Sequence, residues 1–322
     1  MKLRQHPRVS VVVCVYNGAR FLRETLDSAF AQSMPDFEVL AVDDGSTDGS
    51  PELLESFNEP RLRVIRREHA GVGATLNAGL DAAVGEFVAF LDQDDLWAAG
   101  KLEAHCRFFD ECPDIDLTFS WYRLVDEKSG GIGVRPRRSY GRFSYGSLLR
   151  DYVIGPTSTT VMRRGVLRES GPVDPVFGAY YDVDLFLRAA LLRPGNVAVI
   201  PQELTMYRRH SGQMSRNWRA LSQEWRHLLD KLHHIAPDET ASAEAQADAN
   251  MTRYFSYLAY EERDFSNALH LLLGSLRRSP AVFLGDSRNW MAGAASLSGL
   301  LVYAPLHRKM EHLTGLSSDA GP

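Results

Sequence analysis

Cysteine is scarce in this chain. There are three in 322 residues (Cys14, Cys106 and Cys112), too few and too scattered for a disulfide framework or a zinc site. Cys14 lies inside an apolar run and reads as a small buried hydrophobe. A reducing compartment is the simpler fit to such usage. Positive charge is also in short supply: 36 Lys and Arg stand against 41 Asp and Glu, a formal net charge of -5. That argues against a nucleic-acid partner, which calls for a basic face. Lysine itself is nearly missing, with 5 against 31 arginines, a skew read as genome bias and not as chemistry. No apolar run reaches the ~20 residues of a membrane span. Residues 9–16 are too short, and residues 291–306 are weakly apolar with Ser and Gly among them. The first eight residues hold no apolar signal segment. The expectation is a cytoplasmic protein, with peripheral contact at the inner face of a membrane as the lesser reading. Low-complexity tracts and a Walker lysine pattern are missing too.

What is present is ordinary globular composition, 44% hydrophobic and 24% charged. A chain of this length buries roughly three quarters of its unfolded surface, enough for one large domain or two smaller ones. Residues 9–15 are almost uninterrupted and rich in valine, as in a central parallel strand buried on both faces. Asn17-Gly18 turns the chain into a segment with Phe21, Leu22, Leu26, Ala29 and Phe30 at helical spacing. Strand-like runs recur at 37–42, 62–65 and 86–91, with helices read over 46–57 and 71–83. Four strand–helix alternations in under 100 residues call for a parallel sheet with helices on both faces. Further strands are read at 115–124, 158–162 and 197–207, and a helix at 181–192. Residues 130–142 read as an exposed loop with Arg135, Arg137, Arg138 and Arg142. After Ser215 the chain reads as helical. An amphipathic stripe from Phe265 to Leu276, following residues 254–260, suggests a single helical hairpin.

In open α/β sheets, ligands bind beyond the carboxyl ends of the strands. Three of those ends are conspicuously polar here: Tyr16-Asn17, Asp43-Asp44 and Asp92-Gln93-Asp94-Asp95. Three carboxylates at one strand end repel one another unless a cation joins them. Oxygen donors of that kind select Mg²⁺, Mn²⁺ or Ca²⁺. Asp43-Asp44 can accept hydrogen bonds from a nucleobase imide or a ribose hydroxyl, or can form a turn into Gly45. Gly71-Val72-Gly73 sits where a dinucleotide fingerprint would start, but Leu76 replaces its third glycine. Asp182 and Asp184 open a helix at i and i+2 and therefore point to different sides. Arg208-Arg209 suits a diphosphate, and His210 a metal ion or a second phosphate.

The ordered runs at 11–18, 37–48, 77–80 and 85–95 resemble a family 2 glycosyltransferase with the GT-A fold. The likeness is strong over residues 9–102 and looser to about 215. It implies a Rossmann-like, mostly parallel sheet sandwiched by helices, with a C-terminal all-helical extension. The domain boundaries it implies are 1–214 (catalytic) and 215–322. The implied activity is inverting transfer of a sugar from a nucleotide donor, UDP-sugars favoured, to a glycan or lipid-linked acceptor hydroxyl in cell-surface polysaccharide or glycolipid synthesis. By position, Asp44 matches the base reader, with Tyr16, Asn17 and Asp43 beside it. Cys14, Asn77 and Gln93 fall among the nucleotide contacts, and Arg208 and Arg209 among the phosphate contacts. Asp92 and Asp94 match the Asp-x-Asp pair that holds Mn²⁺ or Mg²⁺, with His210 as a further ligand. Asp182 matches the second acid of a Glu-Asp pair, the general base. Tyr181 replaces the first acid, and Asp184 competes for the role. Leu76 replaces an arginine common in the family. Two other readings compete. A transferase-like scaffold is favoured only by Tyr181. A nucleotidyltransferase would need a Gly-rich basic loop after the first strand, where the chain offers only Asn17-Gly18-Ala19-Arg20.

Overall fold

The computed structural model describes residues 6–132, 138–285 and 287–303. They fall into two compact units, residues 1–148 with 152–214, and residues 149–151 with 215–322. Arg135 and Arg137 of the expected loop, and residues 304–306 of the expected terminal helix, lie outside the described residues.

The first unit is built on one sheet. Its strands are β1 (Val9–Val15), β2 (Phe37–Asp43), β3 (Leu62–Arg66), β4 (Phe87–Asp92), β5 (Leu96–Trp97), β6 (Leu117–Val125), β7 (Arg142–Phe143), β8 (Thr160–Arg163) and β9 (Val197–Arg208). The order is β3-β2-β1-β4-β8-β6-β9-β5, with β7 also on β9. β1 to β4 are mutually parallel, as the strand–helix rhythm requires. β8 runs antiparallel between β4 and β6, so the sheet is mixed beyond its first half. The helices of this unit are α1 (Ala19–Phe30), α2 (Ser50–Ser56), α3 (Val72–Ala82), α4 (Lys101–Glu111), α5 (Tyr145–Arg150, its last residues belonging to the second unit), α6 (Arg164–Glu169) and α7 (Tyr181–Leu192).

β-Branched β1 is buried almost throughout, which suits a strand with neighbours on both edges. It packs with Leu22, Leu26 and Ala29 of α1, with Leu102, Cys106 and Phe109 of α4, and with Phe87, Ala89 and Leu91 of β4 in one apolar core. Register then places the chemistry. Val15 lies opposite Asp43 and Cys14 opposite Asp92, so three carboxyl ends finish level.

One expected strand begins differently. Residues Thr157–Thr159 form a 3₁₀ turn and pairing starts at Thr160. Pro156 explains the shift: its carbonyl accepts from both Thr159 N (2.9 Å) and Thr159 Oγ1 (2.8 Å), curling the backbone before the strand.

The described second unit is helical: α8 (Trp218–Ile235), α9 (Pro237–Glu261), α10 (Phe265–Arg278), α11 (Pro280–Leu284) and α12 (Ser287–Ser298), followed by a π-helical turn at Gly299–Tyr303. Asn217 and Asp264 cap α8 and α10 by accepting from Ala220 N and Asn267 N. The expected hairpin is α9 and α10, tied by Ser275 Oγ donating to Ala249 O at 2.8 Å. Among the described residues no helix is long and apolar enough to cross a membrane.

Gly79 marks where α3 approaches the sheet most closely. A Cβ there would collide with Val12 Cγ1 and press Val42 Cγ2 at 3.2 Å. Overpacking of this kind costs about 1–3 kcal/mol. Gly79→Ala is expected to lower the unfolding free energy by about that amount, read as a lower urea midpoint with an unchanged m-value.

Candidate active site

The level strand ends bring Tyr16, Asp43, Asp44 and the Asp92–Asp95 turn together. Polar side chains of the site divide into those that bind the backbone together and the acids, with their partners, at the strand ends and on α7.

Asn17, Gln93 and Asn77 belong to the first group. Asn17 takes a left-handed backbone (φ 48°), which asparagine tolerates better than most, and its Oδ1 accepts from Thr47 N at 2.8 Å. Gln93 clasps Tyr16 from both ends of its amide: Oε1 accepts from Tyr16 N at 2.9 Å and Nε2 donates to Tyr16 O at 3.1 Å. A side chain on Gly18 would strike that amide. Asn77 does the same to Val173, donating to its carbonyl and accepting from its N–H, each at 2.8 Å. The three side chains read from sequence as nucleotide contacts thus serve loop geometry. Nothing in their side-chain type separates the two uses.

Asp43 closes a turn by accepting from Ser46 N at 3.2 Å. Asp44, almost fully buried, is saturated. Its oxygens meet Ala70 N (3.1 Å), Gly71 N (2.9 Å), Arg67 Nε (3.4 Å) and His69 Nδ1 (2.8 Å). Of those side-chain partners His69 is the more exposed, and its ring stacks on Tyr16 with centroids 4.2 Å apart and planes 21° apart. Cys14 is half-buried. Burial and the Asp92 and Asp44 carboxylates push its thiol well above the ordinary range.

At the end of β4 the acids diverge in fate. Asp95 turns inward, fully buried, accepting from Arg208 N at 3.0 Å. Its Oδ2 has no hydrogen-bond partner among the described residues. Burial, with the Asp94 and Asp92 carboxylates, holds its carboxyl well above the usual range. Half-buried Asp92 is pushed up to about 7, by burial first and then by Asp94 and Asp182. Asp94 Oδ2 lies 2.8 Å from His210 Nε2. His210 Nδ1 accepts from Gly212 N at 3.2 Å, so the neutral ring carries its proton on Nε2 and donates to Asp94. Giving the Nε2 lone pair to a cation requires moving that proton and releasing Gly212.

Arg208 is not aimed at a ligand. It is fully buried and its guanidinium donates to Asp94 O (2.7 Å), Glu127 O (3.0 Å), Ser129 Oγ (3.1 Å) and Glu24 Oε2 (2.8 Å). Where the sequence suggested a phosphate contact, four of the five guanidinium N–H donors are committed to this chain, and Arg208 straps the backbone behind Asp94. Arg209 donates its backbone N–H to Val125 O at 2.8 Å.

On α7 the two acids separate as the i, i+2 spacing demands. Asp184 is fully buried and pairs with Arg188 at 2.8 Å. Arg188 in turn reaches the carbonyls of Ser170, Gly171 and Pro172. Asp184 thus holds a loop. Asp182 accepts from Thr157 Oγ1 at 2.6 Å and is pushed up to about 6, chiefly by burial. Tyr181, which stands in place of the first acid of the expected pair, lies with its hydroxyl 3.4 Å from Thr157 Oγ1 and hydrogen-bonds Asp92. Thr157 and Ser158 escaped sequence reading. The only signal was the hydroxyl run Thr157-Ser158-Thr159-Thr160 behind Pro156.

Among the described residues no three His, Cys, Asp or Glu side chains form a ready-made metal cage. A divalent cation shared with phosphates needs only one or two protein carboxylates. Asp92, which has no cationic partner among the described residues, and Asp94, whose one side-chain partner shown here is His210, fit that kind of site.

Several comparisons bear on this geometry. The family model described as "Glycosyl transferase family 2" matches residues 10–171. An uncharacterized glycosyltransferase of Nostoc sp. is 27% identical over 83% of this chain and 88% of its own length. TuaG of Bacillus subtilis, a putative teichuronic acid biosynthesis glycosyltransferase, is 29% identical over 71% of this chain and 91% of its own. The structure of S. aureus TarS 1-349 in complex with UDP-GlcNAc superposes with a TM-score of 0.63, at 21% identity, over 91% of this chain and 89% of that one. That last likeness carries the fold, the mixed α/β sheet flanked by helices of GT-A glycosyltransferases.

Asp92 gives a stability test. An unfolded aspartate ionises near 3.8, whereas folded Asp92 keeps its proton to about 7. The folded state therefore binds more protons across that window, and stability from this group falls as pH rises through it. In chain stripped of metal, Asp92→Asn is expected to raise the melting temperature at pH 8. The gain should fade towards pH 4. Equal gains at both pH values would contradict the assignment.

Proposed function

The chain belongs to glycosyltransferase family 2, and we propose that it moves a sugar from a nucleotide-diphosphate donor to an acceptor hydroxyl with inversion at the anomeric carbon. Residues 1–214 are the proposed catalytic part. The observation that carries the reading is Asp182, a buried carboxyl facing the acidic end of β4 across the Thr157 turn.

Asp182 takes the proton from the acceptor hydroxyl as that oxygen attacks. General base catalysis of this kind is worth ~10²–10⁴ in rate, and a single displacement needs no covalent nucleophile. Asp184, closed by Arg188, is left a structural role. Asp94 and Asp92, with His210 after its proton shifts, would hold a divalent cation that neutralises charge on the leaving diphosphate when bound. Tyr16 offers an exposed ring to the base, and Asp44 accepts from its imide once His69 yields. TarS carries UDP-GlcNAc, so UDP-sugars are the first donors to try. The description of TuaG points to a cell-surface polysaccharide or lipid-linked acceptor.

Thermal-shift screening of nucleotide sugars with Mn²⁺ identifies the donor. With it, Asp182→Asn is expected to lose about 10²–10⁴ in kcat while keeping affinity for UDP and Mn²⁺. Asp94→Asn should lose the Mn²⁺-dependent part of UDP binding. Normal turnover by Asp182→Asn, with loss in Asp184→Asn, would move the base to Asp184.

The rate should also follow pH. A base must be ionised to act, and Asp182 ionises at about 6. In wild type, kcat/KM is expected to rise with pH and level off above that value. A flat profile from pH 5 to 8 would remove Asp182 from the role.

A further inference from the structure

The three residues Thr157, Ser158 and Thr159 are nearly or fully buried, and each hydroxyl has a separate duty. Thr157 Oγ1 donates to Asp182 Oδ2 at 2.6 Å. Ser158 Oγ donates to Asp92 Oδ2 at 3.2 Å and accepts from Asp92 N at 3.0 Å. Thr159 Oγ1 folds back on the carbonyls of Ile154 and Pro156. The turn is braced from other elements as well. Trp97 Nε1 and Thr205 Oγ1 donate to Ser158 O at 2.9 and 3.2 Å. Lys101 Nζ donates to Thr159 O at 2.9 Å from a fully buried position. One rigid turn therefore touches the carboxylate of the proposed base and a carboxylate of the acidic cluster.

Resting on Asp182 as the base, we propose that Thr157 is its positioning residue. The hydroxyl fixes Oδ2 and leaves lone pairs of the carboxylate open to the acceptor proton. A carboxylate offers about four acceptor sites, and the bonds from Thr157 Oγ1 and Val183 N use two of them. Nothing else in the turn can substitute, since Ser158 faces Asp92 and Thr159 faces the backbone behind. Losing the hydroxyl frees the carboxylate to rotate and removes a donor that favours its ionised form.

The titratable groups facing Asp182 are Tyr152, Tyr181 and Asp92. Both tyrosines are held well above their ordinary range by burial, so only Asp92 changes charge nearby. Carbon-13 NMR of the aspartate carboxyls in metal-free chain reads the Asp182 midpoint directly, with Asp182→Asn identifying its resonance. Thr157→Val is expected to raise that midpoint by about one pH unit, and Thr157→Ser to restore it. In turnover of UDP-GlcNAc with Mn²⁺ below pH 6, Thr157→Val should lose roughly tenfold in kcat with the donor KM within about twofold, and Thr157→Ser should recover it. An unmoved midpoint in Thr157→Val overturns the proposal. So does a fall in melting temperature and UDP affinity without movement of the midpoint. Wild-type turnover by Asp182→Asn would instead sink the base reading, and the midpoint test of Thr157 would still report by itself.

Discussion

The polar groups of the first unit answer to one electrostatic constraint: carboxylates gathered at the ends of parallel strands repel each other and resist burial. Register sets the problem by ending β1, β2 and β4 level. The chain meets it with a different device for each acid. Asp44 is neutralised by loop N–H groups, Arg67 and His69. Asp95 is sent inward towards Arg208 N, Asp184 is paired with Arg188, and Asp94 meets His210. Asp92 and Asp182 receive hydroxyl hydrogen bonds but no cationic partner, and both stay protonated into a higher range than aspartate ordinarily does. Charge left uncompensated in a cleft is a mark of chemistry more than of stability.

The same constraint explains which parts of the molecule could be foreseen. β1 was legible because an unbroken valine-rich run has few alternatives to a central strand. The acidic turn at Asp92 was legible because it follows such a strand directly. The jobs of Asn77, Gln93 and Arg208 were not, since amides and guanidiniums bind backbone and phosphate with the same donors. Only the location of Val173, Tyr16 O and Asp94 O decides between the two, and those are distant in sequence. Asp182 and Asp184 form an intermediate case. Spacing alone said that they diverge, and Arg188 one turn on could have said which of them was engaged.

The 3₁₀ turn before β8 was hidden for another reason. Thr and Ser favour strands by propensity, yet Pro156 and the hydroxyls bend the backbone first. β8 also enters against the direction of β4. That reversal carries Thr157 and Ser158 to the carboxyl end of β4, where a parallel strand would have begun at the far edge.

Lys101 has a consequence outside catalysis. It is fully buried at the start of α4, and burial holds its amine well below the usual lysine range against the pull of Asp95. A reagent that acylates amines must first reach this one, and in the folded chain solvent is excluded from it. With only five lysines in the sequence, the rate of acylation at Lys101 is expected to report how often the packing of α4 on the sheet opens.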